Sequence, residues 1–479
     1  MTAEFAATMA GPGDGPAGSG GGAASRGAQY SWGLFDWANQ PVFTVITTFI
    51  FAPYFTNVMA GDPTTGQALW GYVQAIAGLA VALASPVLGA MADRSGPRKP
   101  FIFLFQAITV VGLVALWWAV PGSSGALWLA AVALTVATIG AELSIVFNNA
   151  LLPTLVPPSR IGRLSGLGWG LGYIGGLIAL FAVLIVSRPE LLGIAVPEGE
   201  ALFGLSLASH AVERLTGPAS ALWLILFVLP MFLFTPDVPR TAPTGRGAAV
   251  GGLKQLRQTV VKLRDYRNEA LFLLAFFIYN NGVSAVIAFG GVYFAATFGW
   301  GTTELGIFGI IVTIFAAIGC FAGGALDDRI GSKGTVTMAL VGMAIATVGI
   351  LSLTETAVLF VVETAPVNVD GPLFGSLQEQ VGLVFAVLIG ICLGPAQSAS
   401  RSMIGRLAPP QMLGEFYGLF ALSGRASAIL APLLIGLVTQ VTDSRRLGIA
   451  VVLVFLFVGI GLLLRVKENR PPRPGPRAS

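Results

Sequence analysis

The chain alternates between long apolar runs and short polar connections. A run of about 20 predominantly apolar residues is the length that a helix needs to cross a bilayer. Twelve such runs, bounded by charge clusters or by Gly and Pro, are present. The predicted spans are 31–56, 68–91, 100–119, 126–147, 163–186, 220–235, 269–297, 304–325, 335–354, 377–400, 415–438 and 446–465. The pattern therefore predicts an all-α polytopic membrane protein.

The polar segments divide the spans into two sets of six. A segment at 236–268 with seven basic residues predicts a linker between an N-terminal bundle, 30–235, and a C-terminal bundle, 269–465. Residues 1–29 are rich in Gly and Ala and predict a disordered tail, and the Pro- and Arg-rich residues 466–479 predict a second tail. Both tails are expected on the same side of the membrane because the number of spans is even.

Composition agrees with a membrane environment. Charged residues make up 10% of the 479 residues and hydrophobic residues 55%, and the mean hydropathy is +0.80. A soluble globular protein carries about 25% charged residues. A surface that is apolar to this extent needs lipid around it, which excludes an ordinary soluble protein.

The basic residues predict the orientation. Of the 27 Lys and Arg residues, 22 fall in the tails, the linker and the alternate connections on the side of the termini, and this count includes Arg401 and Arg406. Cytoplasmic connections carry an excess of Lys and Arg. We therefore expect an integral protein of the plasma (inner) membrane with both termini in the cytoplasm.

Two loop sequences recur on either side of the linker. Residues 89–99 and 324–333 share Gly, Asp, Arg, Gly and a basic residue at an offset of 235. Residues 155–167 and 407–419 share a second pattern at an offset of 252. Six spans separate the copies, so the repeats are parallel. An Asp beside an Arg at a helix end can form charge-assisted hydrogen bonds or meet the positive N-terminus of a neighbouring helix.

The first loop resembles the signature of the major facilitator superfamily, G-x-x-x-D-R-x-G-x-[RK]-[RK]. The resemblance implies conformational-gate loops whose residues are Gly89, Asp93, Arg94, Gly96, Arg98, Lys99, Asp328, Arg329 and Lys333. Residues 31–39, 221–223 and 397–402 are similar to the superfamily branch of the autophagy-related vacuolar amino-acid effluxers. The resemblance implies two six-helix bundles that rock around a cavity lined by spans one, four, seven and ten, with amino-acid efflux as the activity.

Three ionisable residues lie deep in the predicted spans, where each costs about 2.5–3.5 kcal/mol unless it meets a cavity or a partner. Asp36 is either an interfacial carboxylate or a cavity carboxylate that binds a cation or titrates. Glu142 either faces the cavity or forms a structural ion pair, with Arg94 as one possible partner. Arg425 is either a counter-ion or a ligand of a substrate carboxylate, and it stands where the resemblance leads us to expect Lys.

Neutral polar residues supply further candidates on the same four spans. They are Asn39, Gln40, Tyr279, Asn280, Asn281 and Gln397. The run of polar residues from 279 to 281, followed by Gly282, can break span seven and expose backbone groups to a solute. The alternative for the amides is hydrogen bonding between helices, worth ~0.6 kcal/mol each. Gly168, Gly172 and Gly176 share one helical face and predict a close-packing seam.

Several kinds of chemistry are excluded by the residues. The sequence contains no G-x-x-x-x-G-K-[ST] loop, so the chain cannot itself draw on ATP. One histidine, His210, and two cysteines in apolar segments, Cys320 and Cys392, cannot build a metal site, and no cofactor is expected. Transport must then be passive or driven by a gradient. If protons are coupled, carboxylates carry them, because no histidine lies in a span.

We therefore expect a secondary transporter rather than an enzyme. It would act as a monomer in the lipid bilayer on a small polar solute, by analogy an amino acid moved outward, with protons or another ion as candidate coupling partners and no nucleic acid. One alternative is an integral-membrane enzyme for lipid-linked substrates, which would use Glu190, Glu198, Glu200, His210 and Glu213 in the external loop 187–219. A non-transporting membrane sensor is the other alternative.

Overall fold

A computed structural model describes residues 23–240, 265–367 and 371–468, with no side-chain description at 302, 428 and 429. Within these residues are twelve helices long and apolar enough to cross a membrane. They are α1 (Arg26–Met59), α2 (Pro63–Ser95), α3 (Lys99–Trp118), α4 (Ala126–Leu155), α5 (Pro158–Ser187), α6 (Ala211–Phe234), α7 (Arg267–Phe298), α8 (Thr303–Ile330), α9 (Ser332–Leu351), α10 (Leu377–Leu407), α11 (Pro410–Thr442) and α12 (Arg445–Arg465). The predicted twelve-helix membrane fold is confirmed.

The predicted tails and linker lie partly outside the described residues, which omit 1–22, 241–264 and 469–479. The division into bundles at 30–235 and 269–465 stays a prediction. The described parts of segment 236–268 lie on the side of the molecule where α2 and α8 end and where α3 and α9 begin. We call this side the linker side. The other side is called the distal side.

Helix ends follow local sequence signals. The Asp62 carboxylate accepts a hydrogen bond from Thr65 N at 2.8 Å, and Pro63 lies in the first turn. Both features stabilise the N-terminal end of α2. At the start of α10, Ser376 and Glu379 cap each other reciprocally. Gly96 and Gly331 follow α2 and α8 with φ of 97° and 90°, a backbone that favours glycine. This explains why both glycines recur in the repeat.

Several helices are longer than the sequence predicts. Helix α1 begins at Arg26, α4 continues to Leu155, and α10 continues to Leu407 rather than ending at 400. The added turns of α10 contain Arg401, Ser402 and Arg406, whose side chains form hydrogen bonds within the protein. Counting apolar residues therefore ends these helices too early.

Each half has its own apolar core, and Val146 and Ala150 of α4 also pack into the core of the second half. One core is built around Trp32, Phe35 and Phe147, and the other around Phe272, Tyr279 and Phe416. The most extensive packing between halves joins α2 to α11 and α5 to α8. Close approach of α2 and α11 requires glycine, because a Cβ atom on Gly89 or on Gly414 would overlap the other's carbonyl group.

The predicted break in span seven is wrong. Helix α7 is continuous from Arg267 to Phe298, and the Asn281 amide donates to Phe277 O at 2.7 Å within the helix. Its polar run is accommodated by contacts with neighbouring helices. Irregular helical turns lie instead in α1, where π-helical stretches occupy Val42–Phe49 and Phe55–Met59 after Pro41.

Two short hairpins lie on the distal side. Between α5 and α6, β1 (Glu200–Ala201) pairs with β2 (Leu205–Ser206), and between α9 and α10, β3 (Ala357–Val358) pairs with β4 (Val362–Glu363). Both pairings are antiparallel. They order the two longest distal connections of the described chain.

Candidate transport site and gate

An ion pair joins Asp36 of α1 to Arg401 of α10 across the two halves. Arg401 Nη1 lies 2.7 Å from Asp36 Oδ2, and the side chains are 3% and 13% exposed respectively. The same guanidinium donates to Ser165 Oγ at 2.9 Å, Ser165 O at 2.6 Å and Asn149 Oδ1 at 3.2 Å. All three guanidinium nitrogens thus have acceptors, so this arginine is fixed in place.

Two tryptophans enclose that guanidinium. Its central carbon lies 5.0 Å from the Trp32 ring centroid and 5.6 Å from the Trp169 centroid. Cation–π contact with desolvated rings stabilises a buried arginine. Asp36 is therefore a paired carboxylate between the halves, rather than the interfacial group that the sequence left open.

A second ion pair joins Glu142 of α4 to Arg425 of α11. Arg425 Nε donates to Glu142 Oε2 at 2.7 Å, and Nη2 contacts the other carboxylate oxygen. Glu142 is 14% exposed and Arg425 29% exposed. The partner that the sequence suggested for Glu142, Arg94, instead lies exposed at the end of α2. Arg425 is more exposed than Arg401, whereas the two carboxylates are buried to almost the same extent.

The predicted amides and hydroxyls take part mainly in bonds between helices. Asn39 accepts from Gln106 Nε2 at 2.9 Å within the first half. Tyr279 Oη and Ser400 Oγ are 2.6 Å apart, and Asn281 Oδ1 accepts from Ala431 N at 3.0 Å. All three predicted residues are buried. The structure therefore favours the interhelical alternative for them.

Of three other predicted residues, Gln397 makes a contact between the halves, and Asn280 and Gln40 make contacts within one half. Asn280 donates to Ser427 Oγ at 2.6 Å, two residues along the chain from Arg425. Gln397 accepts from Tyr173 Oη, which joins α10 to α5. Gln40 is half-buried on α1. These side chains border the two ion pairs.

The glycine seam of α5 makes room for this site. A Cβ atom on Gly168 would lie 2.5 Å from Asp36 Oδ2 and 2.9 Å from Arg401 Nη2. Gly172 and Gly176 lie against Gln40. The predicted close packing is present, and it is with α1. The seam also creates the space that the Asp36–Arg401 pair occupies.

The duplicated aspartates form a gate on the linker side. Asp93 of α2 accepts from Gly414 N and Glu415 N, both at 2.8 Å, at the start of α11. In the same way Asp328 of α8 accepts from Gly162 N at 2.9 Å and Arg163 N at 3.2 Å, at the start of α5. Each carboxylate thus caps the positive end of a helix in the other half.

The basic residues of the two gates differ. Arg98 contacts Asp93 at 2.5 Å, whereas in the second copy Arg406 of α10 contacts Asp327 and lies 3.2 Å from Asp328. The offset of 235 aligns Lys333 with Arg98, but Lys333 does not make the contacts of Arg98. It corresponds to Lys99, because both ammonium groups donate to carbonyls of the last helix of their half. Arg329 lies exposed at the end of α8.

Hydrogen bonds between the halves, in the described residues, run from mid-helix to the linker side. The molecule is thus closed on its linker side.

Sequence reasoning missed Arg401 and Arg406 as candidate site residues, although both form ion pairs in the structure. Both lie beyond the predicted tenth span, which ends at 400 because a charge follows. One signal could have found the first: Arg401 is four residues from Gln397, which places both on one helical face.

Three acidic residues of the distal loop, Glu190, Glu200 and Glu213, line one cavity. His210 Nδ1 lies 3.4 Å from Glu213 Oε1, and its ring lies 5.4 Å from that of Tyr54. Among the residues that the structure describes, no three His, Cys, Asp or Glu side chains come together as a metal site requires.

Known sequences resemble the chain over nearly its full length. The profile of the family described as "Vacuole effluxer Atg22 like" matches residues 59–473. An uncharacterized MFS-type transporter of Bacillus subtilis, YxiO, is 28% identical over 451 residues, which cover 92% of this chain and 94% of that protein. Autophagy-related protein 22-1 of Penicillium rubens is 26% identical over 65% of this chain. The chain spans about half the length of that fungal relative, 50%.

Solved structures share the fold. The proton:xylose symporter XylE matches with a TM-score of 0.66 at 13% identity, over 92% of this chain and 96% of that one. The transporter FucP in its outward conformation matches with a TM-score of 0.67 at 15% identity, over 92% and 99%. Both are major facilitator transporters, so the chain shares their fold. The family profile and YxiO indicate a transporter rather than an enzyme.

Proposed function

The chain belongs to the Atg22-like vacuole effluxer family of major facilitator secondary transporters, and from this premise we propose that it moves amino acids outward by alternating access. In this proposal the units that rock against each other are residues 30–235 and 269–465. The family supplies the transporter class. The amino-acid substrate, the outward direction and the coupling ion are our proposal.

The Glu142–Arg425 pair carries the substrate proposal. An amino acid has one carboxylate and one ammonium group, so it can bind Arg425 through the first and Glu142 through the second. Charge-assisted hydrogen bonds of this kind are about twice as strong as neutral ones. Arg425 is 29% exposed, which leaves it accessible to a solute, while Asn280 and Ser427 offer neutral polar groups beside it.

The same pair supports coupling to protons. His210 precedes α6 and the sequence has no other histidine, so a proton carrier within the helices has to be a carboxylate. Glu142 and Asp36 both pair with an arginine of the other half. Protonation of either carboxylate would weaken a bond between the halves, and this links proton binding to their movement.

We propose that the linker side faces the cytoplasm of a plasma membrane. The excess of basic residues on that side supports this orientation. Export then requires the gate formed by Asp93 and Asp328 to open so that solute enters from the cytoplasm.

Flux through the purified protein tests the proposal. Proteoliposomes loaded with labelled amino acids would be followed with and without an imposed pH gradient. We expect gradient-sensitive efflux of at least one amino acid, and its loss in Glu142→Gln. The matched control is Glu190→Gln, which removes an exposed carboxylate in the distal loop and should leave flux unchanged. Absence of gradient-sensitive flux for every amino acid would contradict the proposal.

A further inference from the structure

A groove between α9 and α12 at the linker side carries basic residues without acidic partners. Its lining includes Lys333, Met338, Leu464, Arg465 and Lys467. Arg465 and Lys467 are exposed, and neither takes part in an ion pair with another described residue. The groove therefore presents positive charge to its surroundings.

The acidic residue at the groove is already occupied. Glu468 accepts from Ser332 N at 2.8 Å and from Lys333 N at 3.1 Å, which caps the start of α9. It also lies 3.8 Å from Arg406, and its side chain is 4% exposed. Its charge is therefore directed into the protein and does not neutralise the groove.

The basic groove continues into an apolar face. Large side chains that are exposed on α9 recur every three or four residues, and those on α12 lie beside them. They are Met338, Val341, Ile345, Val348, Val454, Phe457 and Leu464. In a membrane-spanning bundle such a face contacts acyl chains. Positive charge at the membrane boundary next to an apolar face is the pattern that attracts an anionic lipid headgroup.

The first half of the chain provides an internal comparison. Asp237 caps the start of α3 there, accepting from Arg98 N at 2.8 Å and from Lys99 N at 3.1 Å. Asp237 lies three residues beyond α6, as Glu468 lies three beyond α12. By this correspondence Phe234 and Pro236 stand where the second half has Arg465 and Lys467. The fold therefore does not require the two basic residues.

We propose that the groove between α9 and α12 binds one anionic phospholipid. The phosphate lies between Arg465 and Lys467, with Lys333 at the base of the groove, and an acyl chain runs along Met338 and Leu464. Bound lipid would hold Val466 to Glu468 against α9. Because Glu468 also contacts Arg406, lipid binding would stabilise the closed gate on the linker side.

Thermal unfolding of the purified full-length protein in detergent, titrated with phosphatidylglycerol, tests the site. We expect phosphatidylglycerol, but not phosphatidylcholine, to raise the unfolding midpoint of the wild type. In Arg465→Gln/Lys467→Gln, phosphatidylglycerol should bind about 30-fold more weakly, since each basic residue near an anionic surface contributes about a factor of five. The control Arg26→Gln/Arg160→Gln removes two exposed charges on the same side and should bind as the wild type does.

Three results would overturn the proposal. The first is that phosphatidylglycerol and phosphatidylcholine stabilise the wild type equally. The second is that phosphatidylglycerol stabilises Arg465→Gln/Lys467→Gln as much as the wild type. The third is that glycerol 3-phosphate displaces the lipid, which would indicate a site for a soluble anion. If the double variant does not fold, Lys467→Gln alone serves, with a fivefold loss expected. The measurement needs no transport substrate, so its result is independent of whether the proposed transport function is correct.

Discussion

Arg401 and Asp36, which are 365 residues apart in the sequence, form a 2.7 Å ion pair that joins the two halves of the chain. The guanidinium is 3% exposed and has acceptors on all three nitrogens. The Glu142–Arg425 pair also joins the halves, but its arginine is more exposed. This difference gives the two pairs different expected roles, the first in holding the halves together and the second in transport.

Removing Arg401 should destabilise the protein strongly. Arg401→Gln leaves Asp36 without its charged partner, and breaking a buried pair costs about 3–5 kcal/mol. Denaturant unfolding in micelles measures the change, with Arg160→Gln, an exposed arginine, as the control. The double variant Asp36→Asn/Arg401→Gln should recover part of the loss, because no isolated charge remains. If the two single losses simply add in the double variant, the pair does not act as a unit.

Replacing Glu142 should reduce transport more than stability. Glu142→Gln keeps the shape, and Arg425, at 29% exposure, can be solvated. Loss of a hydrogen bond between charged groups costs roughly 1.5–3 kcal/mol, which is about a 10- to 150-fold reduction in flux. Flux across a range of pH, together with the unfolding midpoint, measures both effects. Normal flux at every pH would remove Glu142 from coupling.

The span count and the repeat could be predicted from sequence because both depend on local patterns. Apolar runs long enough to cross a membrane mark the twelve helices, and two loop sequences recur at fixed offsets. Both alternatives that the sequence offers for Asp93 are observed, since it pairs with Arg98 and accepts hydrogen bonds from the first turns of a helix in the other half.

The partners of the buried charges could not be predicted in the same way. Glu142 lies 283 residues from Arg425 in the sequence. Such a pair depends on how two halves dock, and no local pattern contains that information. Because a charge normally ends a span, the sequence pattern places Arg401 in a loop. In α10 the charge is neutralised by the opposite half, so the helix continues to Leu407.

Weakening the second gate should expose a native cysteine. Cys320 of α8 is buried, with its carbonyl against Gly166 of α5 and its Sγ against Gly394 of α10. Because α5 covers this part of α8, we expect the thiol to become accessible when the linker side opens. Asp328→Asn removes the negative charge that meets the positive N-terminus of α5 and should favour opening by ~1 kcal/mol, or about fivefold in labelling rate. Maleimide labelling in a Cys392→Ser background measures this rate.

The matched control for the gate is Asp62→Asn, which weakens the same kind of helix cap on the distal side. It should leave the labelling of Cys320 unchanged. Equal acceleration by the two variants would mean that the protein loosens as a whole, and unchanged labelling in Asp328→Asn would contradict its role in the gate.

Labelling from one side of the membrane should place Arg160 inside the cell and Phe203 outside. Both residues are exposed, Arg160 at the linker side and Phe203, at 79%, in the distal hairpin. Cys320 and Cys392 are buried, so a background in which both are replaced by Ala should still fold. In intact cells an impermeant maleimide should label Phe203→Cys and not Arg160→Cys, and permeabilisation should make both reactive. The reverse pattern would invert the proposed orientation, and with it the direction that we assign to transport, since the gate would then open to the outside.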